Sequence, residues 1–438
     1  MQLIHGFSKL SRTEKLAWLK EEGKLSDNTL RVLDQHLHSD SDIQDVYGDL
    51  SENTVSNFYL PLGLSPNFLI NGKLMTLPMV TEESSVVAAA SSAAKFWAGH
   101  GGFNARVTGT GKVGQIHFTW TGDPGELFRV FESRREALLQ SVSPLTRRME
   151  ERGGGITSME IRAAKSGLPE DFQLFVTFHT ANAMGANFIN SVLEALADQL
   201  ITVIKETALQ GELEVLMSIL SNYTPESLVL CHVENEIGIF ENISPDLSAH
   251  QFARKFRKAI DIAHHDPYRA VTHNKGIFNG MDAVIMATGN DFRAVEAGGH
   301  AYASRSGSYQ SLSRLELSEG SFRFTLEVPL AVGTVGGLTG IHPLAAASLE
   351  ILGNPSASEL MEVIAAAGLA SNFSAIRSLI TTGIQKGHMK MHLGNMLRQL
   401  KASMEESRQA EKHFDDRTLS YSELAGFLDN LRSKNPKR

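Results

Sequence analysis

Residues 273–293 read HNKGIFNGMDAVIMATGNDFR and carry the strongest structural and chemical signals in the chain. Lys275 stands between an asparagine and a glycine, and Asp291 follows an apolar run closed by Thr-Gly-Asn. The run predicts burial, so the carboxylate at its edge and the lysine upstream could meet in poorly solvated surroundings. A lysine paired there would offer a fixed positive charge to an oxygen that becomes negative during a reaction. A loop lysine and a helix-capping aspartate are the alternative.

Two other segments carry possible chemistry. Residues 79–90, MVTEESSVVAAA, predict a helix that enters a core, with residues 82–85 at its N-terminus, where free N–H groups and the positive end of the dipole lie. Ordinary capping is the alternative there. Residues 382–392, TGIQKGHMKMH, contain two histidines at a spacing of four but no HExxH glutamate. This pattern favours one functional histidine over a zinc site, and we predict no metal.

The composition is that of a globular protein in a reducing compartment. Of the 438 residues, 21% are charged and 42% are apolar. The net charge of −8 gives a nucleic-acid partner no support and disfavours anionic membranes. Cys231, the single cysteine, excludes an intrachain disulfide. The N-terminus lacks a signal-peptide core, and no apolar run approaches the ~18 residues of a membrane helix. We therefore predict a cytoplasmic protein without a membrane partner.

Hydrophobic periodicity predicts an inserted unit at 108–220. KVGQIHFTW alternates like a half-buried strand, and GELFRVFESRREALLQSV is typical of an amphipathic helix. MEIRAA and DFQLFVTFHT predict further strands, followed by the long helix NFINSVLEALADQLITVIKETA. This order predicts a compact α+β sandwich. Beyond it, LEVPLAVGTVGGLTGIHP indicates close backbone approach inside a core, and residues 387–414 predict a long polar helix.

Several segments together resemble class II 3-hydroxy-3-methylglutaryl-CoA (HMG-CoA) reductases. They lie in the family's order from about residue 6 to about residue 400: GFSKLSRTEKLAWL, ENTVSNFYLPLGLSPN, MVTEESSVVAAAS, TANAMGANFIN, DPYRAVTHNKGIFNGMDAV, ATGNDFRAVEAGGHAYASRSG and GIQKGHMKMH. The resemblance implies an α+β fold with a large, mostly helical substrate-binding domain at 1–107 and 221–375. It makes 108–220 a small ferredoxin-like, non-Rossmann nucleotide-binding domain and 376–438 a mobile C-terminal helical flap.

The resemblance also implies the reaction and four catalytic residues. HMG-CoA would be reduced by two hydrides from NAD(P)H, through a hemithioacetal and a bound aldehyde, to mevalonate and CoA. Lys275 would stabilise the oxyanion, and Glu83, rather than Glu82, would give it a proton during aldehyde reduction. Asp291 would hold both in one hydrogen-bonded network, and His388 would protonate the CoA thiolate. A carboxylic acid that donates near neutral pH needs burial to raise its pKa.

The matched motifs imply a substrate pocket. Arg269 would bind the HMG carboxylate through two hydrogen bonds, and Ser85 and Asn279 would complete that pocket. Arg12 would meet a CoA phosphate, unless it is an ordinary surface arginine at a helix start. Glu52 would line the pantetheine channel, where Phe58 replaces the glycine that the family often has.

The motifs also imply a nicotinamide site, formed by Asn182, Met184, Gly185, Ala186 and Asn187. Two departures bear on cofactor choice: Asn182 stands where relatives commonly have aspartate, and GGGITSMEIR lacks the family's usual Cys-Arg-Asp. Arg147, Arg148 and Arg152 favour NADPH over NADH, or else form a solvated helix face.

Three other functions compete with this interpretation. The same residues would serve the reverse, catabolic direction. A related reductase could act on another acyl-CoA, although Arg269 argues for HMG-CoA. A non-catalytic paralogue that binds CoA or nucleotide should have lost at least one catalytic residue. The resemblance further implies a homodimer or higher homo-oligomer with shared active sites.

Overall fold

The computed structural model describes residues 3–165, 167–207, 209–381, 393–394, 396–414 and 419–434. The chain begins with three short helices whose N-caps are Ser11, Ser26 and Asp40. These helices are α1 Arg12–Glu21, α2 Asp27–Gln35 and α3 Ser41–Asp49. A hairpin of β1 Leu62–Ile70 and β2 Lys73–Val80 follows. It leads into helix α4 Val86–Ala98 and strand β3 Asn104–Val107.

Residues 112–221 form a unit with its own sheet and core. Its strands are β4 Lys112–Trp120, β5 Gly155–Ala163, β6 Asp171–His179 and β7 Leu213–Ser221, in the antiparallel order β5-β6-β4-β7. Its helices are α5 Pro124–Ser141, α6 Ser143–Glu150 and α7 Ala186–Lys205. Apolar side chains of β4 and β6 pack with those of α5 and α7 in a hydrophobic cluster separate from the main one.

The main hydrophobic core surrounds a second antiparallel sheet, in which the strand order is β3-β8-β10-β9. The added strands are β8 Leu228–Glu236, β9 Ser313–Ser318 and β10 Ser321–Pro329. The added helices are α8 Ala249–His265, α9 Pro267–Ala287, α10 Phe292–Ala303, α11 Pro343–Ile351 and α12 Ala357–Ile380. The structure is a mixture of helices and sheets, which confirms the predicted α+β class at this coarse level.

Helix α12 lies at the centre of the main core. It has 24 residues, begins with a capping box at Ser356, and packs against α4, α9 and the main sheet. By length and composition α12 could cross a membrane, but 72% of its apolar window is buried inside the protein. Gly280 of α9 allows the close approach of the two helices, because a Cβ there would lie 2.3 Å from the Ala367 carbonyl oxygen.

The C-terminal part contains two short helices with a separate small core. They are α13 Met404–His413 and α14 Tyr421–Lys434, and they pack with Leu393 and Leu397. The prediction of one long polar helix across 387–414 was wrong in its described part. Lys401 takes a left-handed conformation at φ 52°, and Ser403 then caps a new helix.

Candidate active site

A cleft between the start of α4, one face of α9 and the end of α12 collects the predicted substrate and catalytic residues. Its cavity volume is ≈ 230 Å³. Five of the residues singled out in the sequence line it: Glu83, Ser85, Arg269, Lys275 and Asn279.

Helix periodicity explains why these residues meet. On α9, Arg269, His273, Gly276 and Asn279 are three or four positions apart and therefore share one face of the helix. α12 contributes a matching stripe of small and polar residues, Ser371, Asn372, Ser374, Ala375 and Ser378. The cleft is therefore a polar gap left between two closely packed helices.

The Glu83 carboxylate joins two predicted site residues. Lys275 Nζ donates to Glu83 Oε2 at 2.8 Å, and Ser85 Oγ donates to Glu83 Oε1 at 3.4 Å. Within one chain the side chains of Lys275 and Glu83 are 61% and 39% exposed. Water therefore screens this ion pair as long as nothing covers the cleft.

Arg269 supplies the cleft with a cation. Partial burial lowers the pKa of its guanidinium, which still remains charged because an arginine pKa starts far above neutrality. Within the described part of the chain, no carboxylate forms an ion pair with it. Its donors are thus available to an anionic ligand group.

A buried polar network supports the floor of the cleft. His273 Nε2 lies 2.7 Å from Ser313 Oγ, which donates to Asn372 Oδ1 at 2.8 Å. Burial, helped by the charges of Arg269 and His264, lowers the pKa of His273 to about 3. His273 is therefore neutral at pH 7. Because the Ser313 proton is used on Asn372, His273 must donate its Nε2–H, which leaves Nδ1 as a buried acceptor without a partner in the described structure.

Asp291 lies away from this cleft. It caps α10, accepting from the Arg293 and Ala294 N–H groups, and pairs with the Arg293 side chain at 3.0 Å. Burial raises the pKa of Asp291, but the bonds from Arg293 and Ala294 outweigh it and leave the pKa lowered. Across the described ranges, no hydrogen bond or ion pair joins Asp291 to Lys275. From Lys275 to Ala287, the last residue of α9, the helix rises by about 18 Å, and Asp291 follows beyond that end.

A second cleft, of ≈ 370 Å³, lies at the start of α7. Four predicted cofactor residues line it, Met184, Gly185, Ala186 and Asn187, together with Asp291. Gly185 is the N-cap of α7 in a left-handed conformation at φ 90°. The glycine-rich segment at 333–339 was expected inside a core but forms the opposite wall of this cleft. A Cβ on Gly333 would lie 2.3 Å from the Met184 nitrogen, so only glycine fits.

Asn182 points away from the second cleft. Its Oδ1 accepts a hydrogen bond from the Ala357 N–H at 3.0 Å, and its carbonyl accepts from Thr334 N–H at 2.8 Å. The side chain thus connects the turn after β6 to the first residue of α12. An aspartate could accept the same bond, which explains how either residue can stand here.

The remaining predicted residues lie outside both clefts. Arg12 donates to the Val55 carbonyl at 2.7 Å and pairs with Asp34 at 2.6 Å, so its fork is occupied within the chain. Glu52 is exposed in the turn between α3 and β1. Arg147 pairs with Glu151 on the exposed side of α6. His388 lies outside the described residues. Within the described ranges, no group of three His, Cys, Asp or Glu side chains is arranged to hold a metal ion.

Sequence reasoning missed two features of these clefts. The α12 stripe went unnoticed because serines within an apolar helix look like ordinary small core residues. His273 was overlooked beside Lys275, although it lies four positions after Arg269 and therefore on the same side of α9.

The family comparison settles the class of protein. Residues 11–393 match the family model described as hydroxymethylglutaryl-coenzyme A reductase. The chain belongs to this family of oxidoreductases. The function predicted from the sequence, reduction of HMG-CoA in the mevalonate pathway, is confirmed at this level.

Individual relatives agree. The 3-hydroxy-3-methylglutaryl-coenzyme A reductase of Archaeoglobus fulgidus is 39% identical over 90% of this chain and 86% of its own length. A probable reductase of Borreliella burgdorferi is 34% identical over 82% of this chain and 80% of its own. The Streptococcus pneumoniae reductase structure has a TM-score of 0.73 at 38% identity, covering 98% of this chain and 99% of that one. Another structure of that reductase, described as class II and bound to NADPH in open conformations, has a TM-score of 0.72 at 39% identity over 86% of this chain and 99% of that one.

Proposed function

We propose that the first cleft reduces the thioester of HMG-CoA to the alcohol of mevalonate, with Lys275 and Glu83 at the reacting carbonyl. The observation that carries the proposal is the 2.8 Å pair between these residues, in the cleft that also holds Arg269, Ser85 and Asn279. An ammonium and a carboxyl group side by side match what a carbonyl reduction needs. One stabilises negative charge on oxygen and the other supplies a proton.

The three catalytic residues act in successive steps of the reaction. As the thioester carbon accepts a hydride, its oxygen gains negative charge, which the Lys275 ammonium stabilises. Collapse of the hemithioacetal breaks the C–S bond and leaves an aldehyde and the CoA thiolate, which takes a proton from His388 of the C-terminal flap. When the aldehyde carbon accepts a second hydride, Glu83 gives its proton to the oxygen.

Arg269 positions the substrate. Its half-buried guanidinium faces the cleft and suits two hydrogen bonds to the HMG carboxylate. The Ser85 hydroxyl and the Asn279 amide complete the pocket. This anchoring fixes the reacting carbon, which favours HMG-CoA over an acyl-CoA that lacks a second carboxylate.

The second cleft suits the nicotinamide cofactor, which supplies the hydrides when bound. The positive end of α7 and the left-handed Gly185 let backbone N–H groups approach a pyrophosphate. Gly333 keeps the opposite wall free of a Cβ. We propose NADPH over NADH, because the S. pneumoniae relative is bound to NADPH and because Arg148 and Arg152 are exposed on the same domain. Residues 108–220 would then be the nucleotide-binding domain.

A second copy of the chain would complete the active site. Asp291 lines the cofactor cleft beyond the end of α9, and α9 already rises by about 18 Å from Lys275 to Ala287, so we propose that Asp291 reaches the Lys275–Glu83 pair from another subunit. Apolar side chains are exposed at both clefts, including Leu379 at 43% in the first and Val335 at 49% in the second. A dimer interface would bury them and shield the ion pair from water. We propose a homodimer or higher homo-oligomer, located in the cytoplasm, with sites formed between subunits.

The proposal is tested by absorbance at the reduced-nicotinamide band, with purified protein, HMG-CoA and either NADPH or NADH. The expected result is oxidation of two cofactor equivalents per CoA thiol released, faster with NADPH. No oxidation with either cofactor would contradict the proposal. Faster turnover with NADH would contradict only the cofactor preference.

A further inference from the structure

Lys112, the first residue of β4, is a buried lysine without a counter-charge. It is 5% exposed, and among the residues that the structure describes no carboxylate pairs with it. Its ammonium donates instead to two neutral oxygens, the Thr180 hydroxyl and the Ala183 carbonyl, the latter at 3.0 Å. Burying an ammonium without a carboxylate partner costs free energy, and a functional role for Lys112 would explain why the protein keeps it there.

Both acceptors belong to the turn that leads into the cofactor cleft. The Thr180 hydroxyl donates a hydrogen bond to the Ala183 carbonyl at 2.7 Å, so the lysine, the hydroxyl and the carbonyl are bonded to one another in a triangle. Ala181, inside the turn, has a left-handed φ of 48°, which a non-glycine residue rarely adopts without support. The turn ends at Gly185, where α7 and the cleft wall begin.

The ammonium keeps most of its charge at neutral pH. Burial alone lowers the pKa of Lys112 to about 8. The titratable side chains of the flanking segments are His179, at the end of β6, and Glu226, beside Gly111. Neither is hydrogen-bonded to Lys112. A positive charge therefore sits directly beneath the backbone that faces the cleft, next to the positive end of α7.

We propose that Lys112 is a positioning residue for the dinucleotide. It holds the turn at 180–185 so that the first N–H groups of α7 face the pyrophosphate, and its charge strengthens their attraction for that anion. This inference rests on the proposed cofactor site, and it assigns a role to a residue outside the cleft.

The test compares Lys112→Met, which keeps the aliphatic stem, with Lys205→Met, the same change at the end of α7. NADPH binding is followed by its fluorescence, and steady-state constants are measured for both substrates. For Lys112→Met we expect the NADPH Kd and KM to rise about tenfold, or about 1.4 kcal/mol, with the HMG-CoA KM unchanged within about twofold. Lys205→Met should behave like the wild type.

Two readouts separate positioning from a general loss of stability. In wild type the NADPH Kd should rise as pH increases from 7 to 9, because Lys112 loses its proton, whereas the Kd of Lys112→Met should stay flat. Without ligand, amide hydrogen exchange at 183–188 should be faster in Lys112→Met. If that variant does not fold, Lys112→Arg, whose guanidinium does not titrate in this range, should bind NADPH without the pH dependence.

The outcomes distinguish the two proposals. A pH-independent Kd in the wild type, an unchanged Kd in Lys112→Met, or an equal rise in the HMG-CoA KM would overturn the role of Lys112 and leave the proposed function standing. A wild-type protein that binds neither NADPH nor NADH would overturn the cofactor site itself, and the positioning inference with it.

Discussion

At the scale of single residues, the proposed chemistry depends on Lys275, because its ammonium is the cation bonded to the Glu83 carboxylate. Lys275→Ala should lower kcat by at least about a hundredfold, since the positive charge proposed to stabilise the developing oxyanion would be lost. Binding of HMG-CoA should persist through Arg269. Lys255→Ala, on the exposed side of α8, serves as the control. The measurement is steady-state turnover, and near-normal kcat in Lys275→Ala would reject the oxyanion role.

His273 makes stability depend on pH. Its pKa is about 3 in the folded protein and near 6.5 when unfolded. Between these values the unfolded chain binds more protons, so the free energy of unfolding should fall as pH drops below about 6.5. His273→Gln does not titrate there and keeps a donor for Ser313. Urea unfolding at pH 7 and pH 5 should show a smaller loss for this variant than for wild type. Equal losses would mean that His273 is not the group responsible.

At the scale of helices and strands, the alternation of polar and apolar residues and the amphipathic helical patterns predicted most elements of the inserted unit. The predicted strand KVGQIHFTW is β4, Lys112–Trp120, and the predicted long helix, 187–208, overlaps α7, Ala186–Lys205, which ends three residues earlier. Strand β7 was missed because Leu216, Met217 and Ile219 are exposed on this edge strand. Burial therefore does not follow a clean period of two there.

Gly280 sets the spacing between α9 and α12. Gly280→Ala should lower stability by about 1–3 kcal/mol, because its methyl group would collide with the backbone of α12. Gly276→Ala, one turn earlier on α9, is the matched control, since its Cβ would meet only Ala375 at 3.9 Å. There the better helix propensity of alanine should keep stability equal or raise it. The measurement is the thermal unfolding midpoint of each variant. Equal midpoints for Gly280→Ala and Gly276→Ala would contradict the close packing of α9 against α12 at Gly280.

Asn182 links two elements rather than contacting the cleft. Asn182→Asp should preserve stability, because the carboxylate accepts the same Ala357 N–H and favours the positive end of α12. Asn182→Leu leaves that N–H without its acceptor and should cost about 1 kcal/mol. The two are compared by melting temperature and by the KM for NADPH. A tenfold change of KM in Asn182→Asp would instead indicate direct cofactor contact.

At the scale of the whole molecule, a shared site predicts complementation between inactive subunits. Lys275→Ala and Asp291→Ala should each be inactive alone. Mixed in equal amounts by refolding or co-expression, half of the dimers would be hybrids with one intact site, restoring about a quarter of wild-type activity. Two Lys275→Ala preparations that differ only in tag provide the control. No recovery, with hybrids present, would place Asp291 and Lys275 in the same chain's site.

The placement of Lys275 and Asp291 in different clefts could not be predicted from the sequence. The apolar run between them was correctly predicted to be buried, and Asp291 does cap a helix. Their distance depends on α9 remaining one helix through Gly276 and Gly280, residues with low helix propensity. Packing against α12 stabilises that helix. The periodicity of the sequence alone does not reveal how far apart such packing places the two residues.

The central place of α12 also matters during biosynthesis. Its residues fill the middle of the main core, yet at 357–380 they are, among the residues that the structure describes, the last in the sequence to join that core. As the ribosome makes the chain from the N-terminus, α4, α9 and the main sheet emerge with an open apolar groove where α12 belongs. Such exposed intermediates are prone to aggregation. The groove therefore stays open until α12 leaves the ribosome, and premature termination before Ala357 yields a product that cannot close its core.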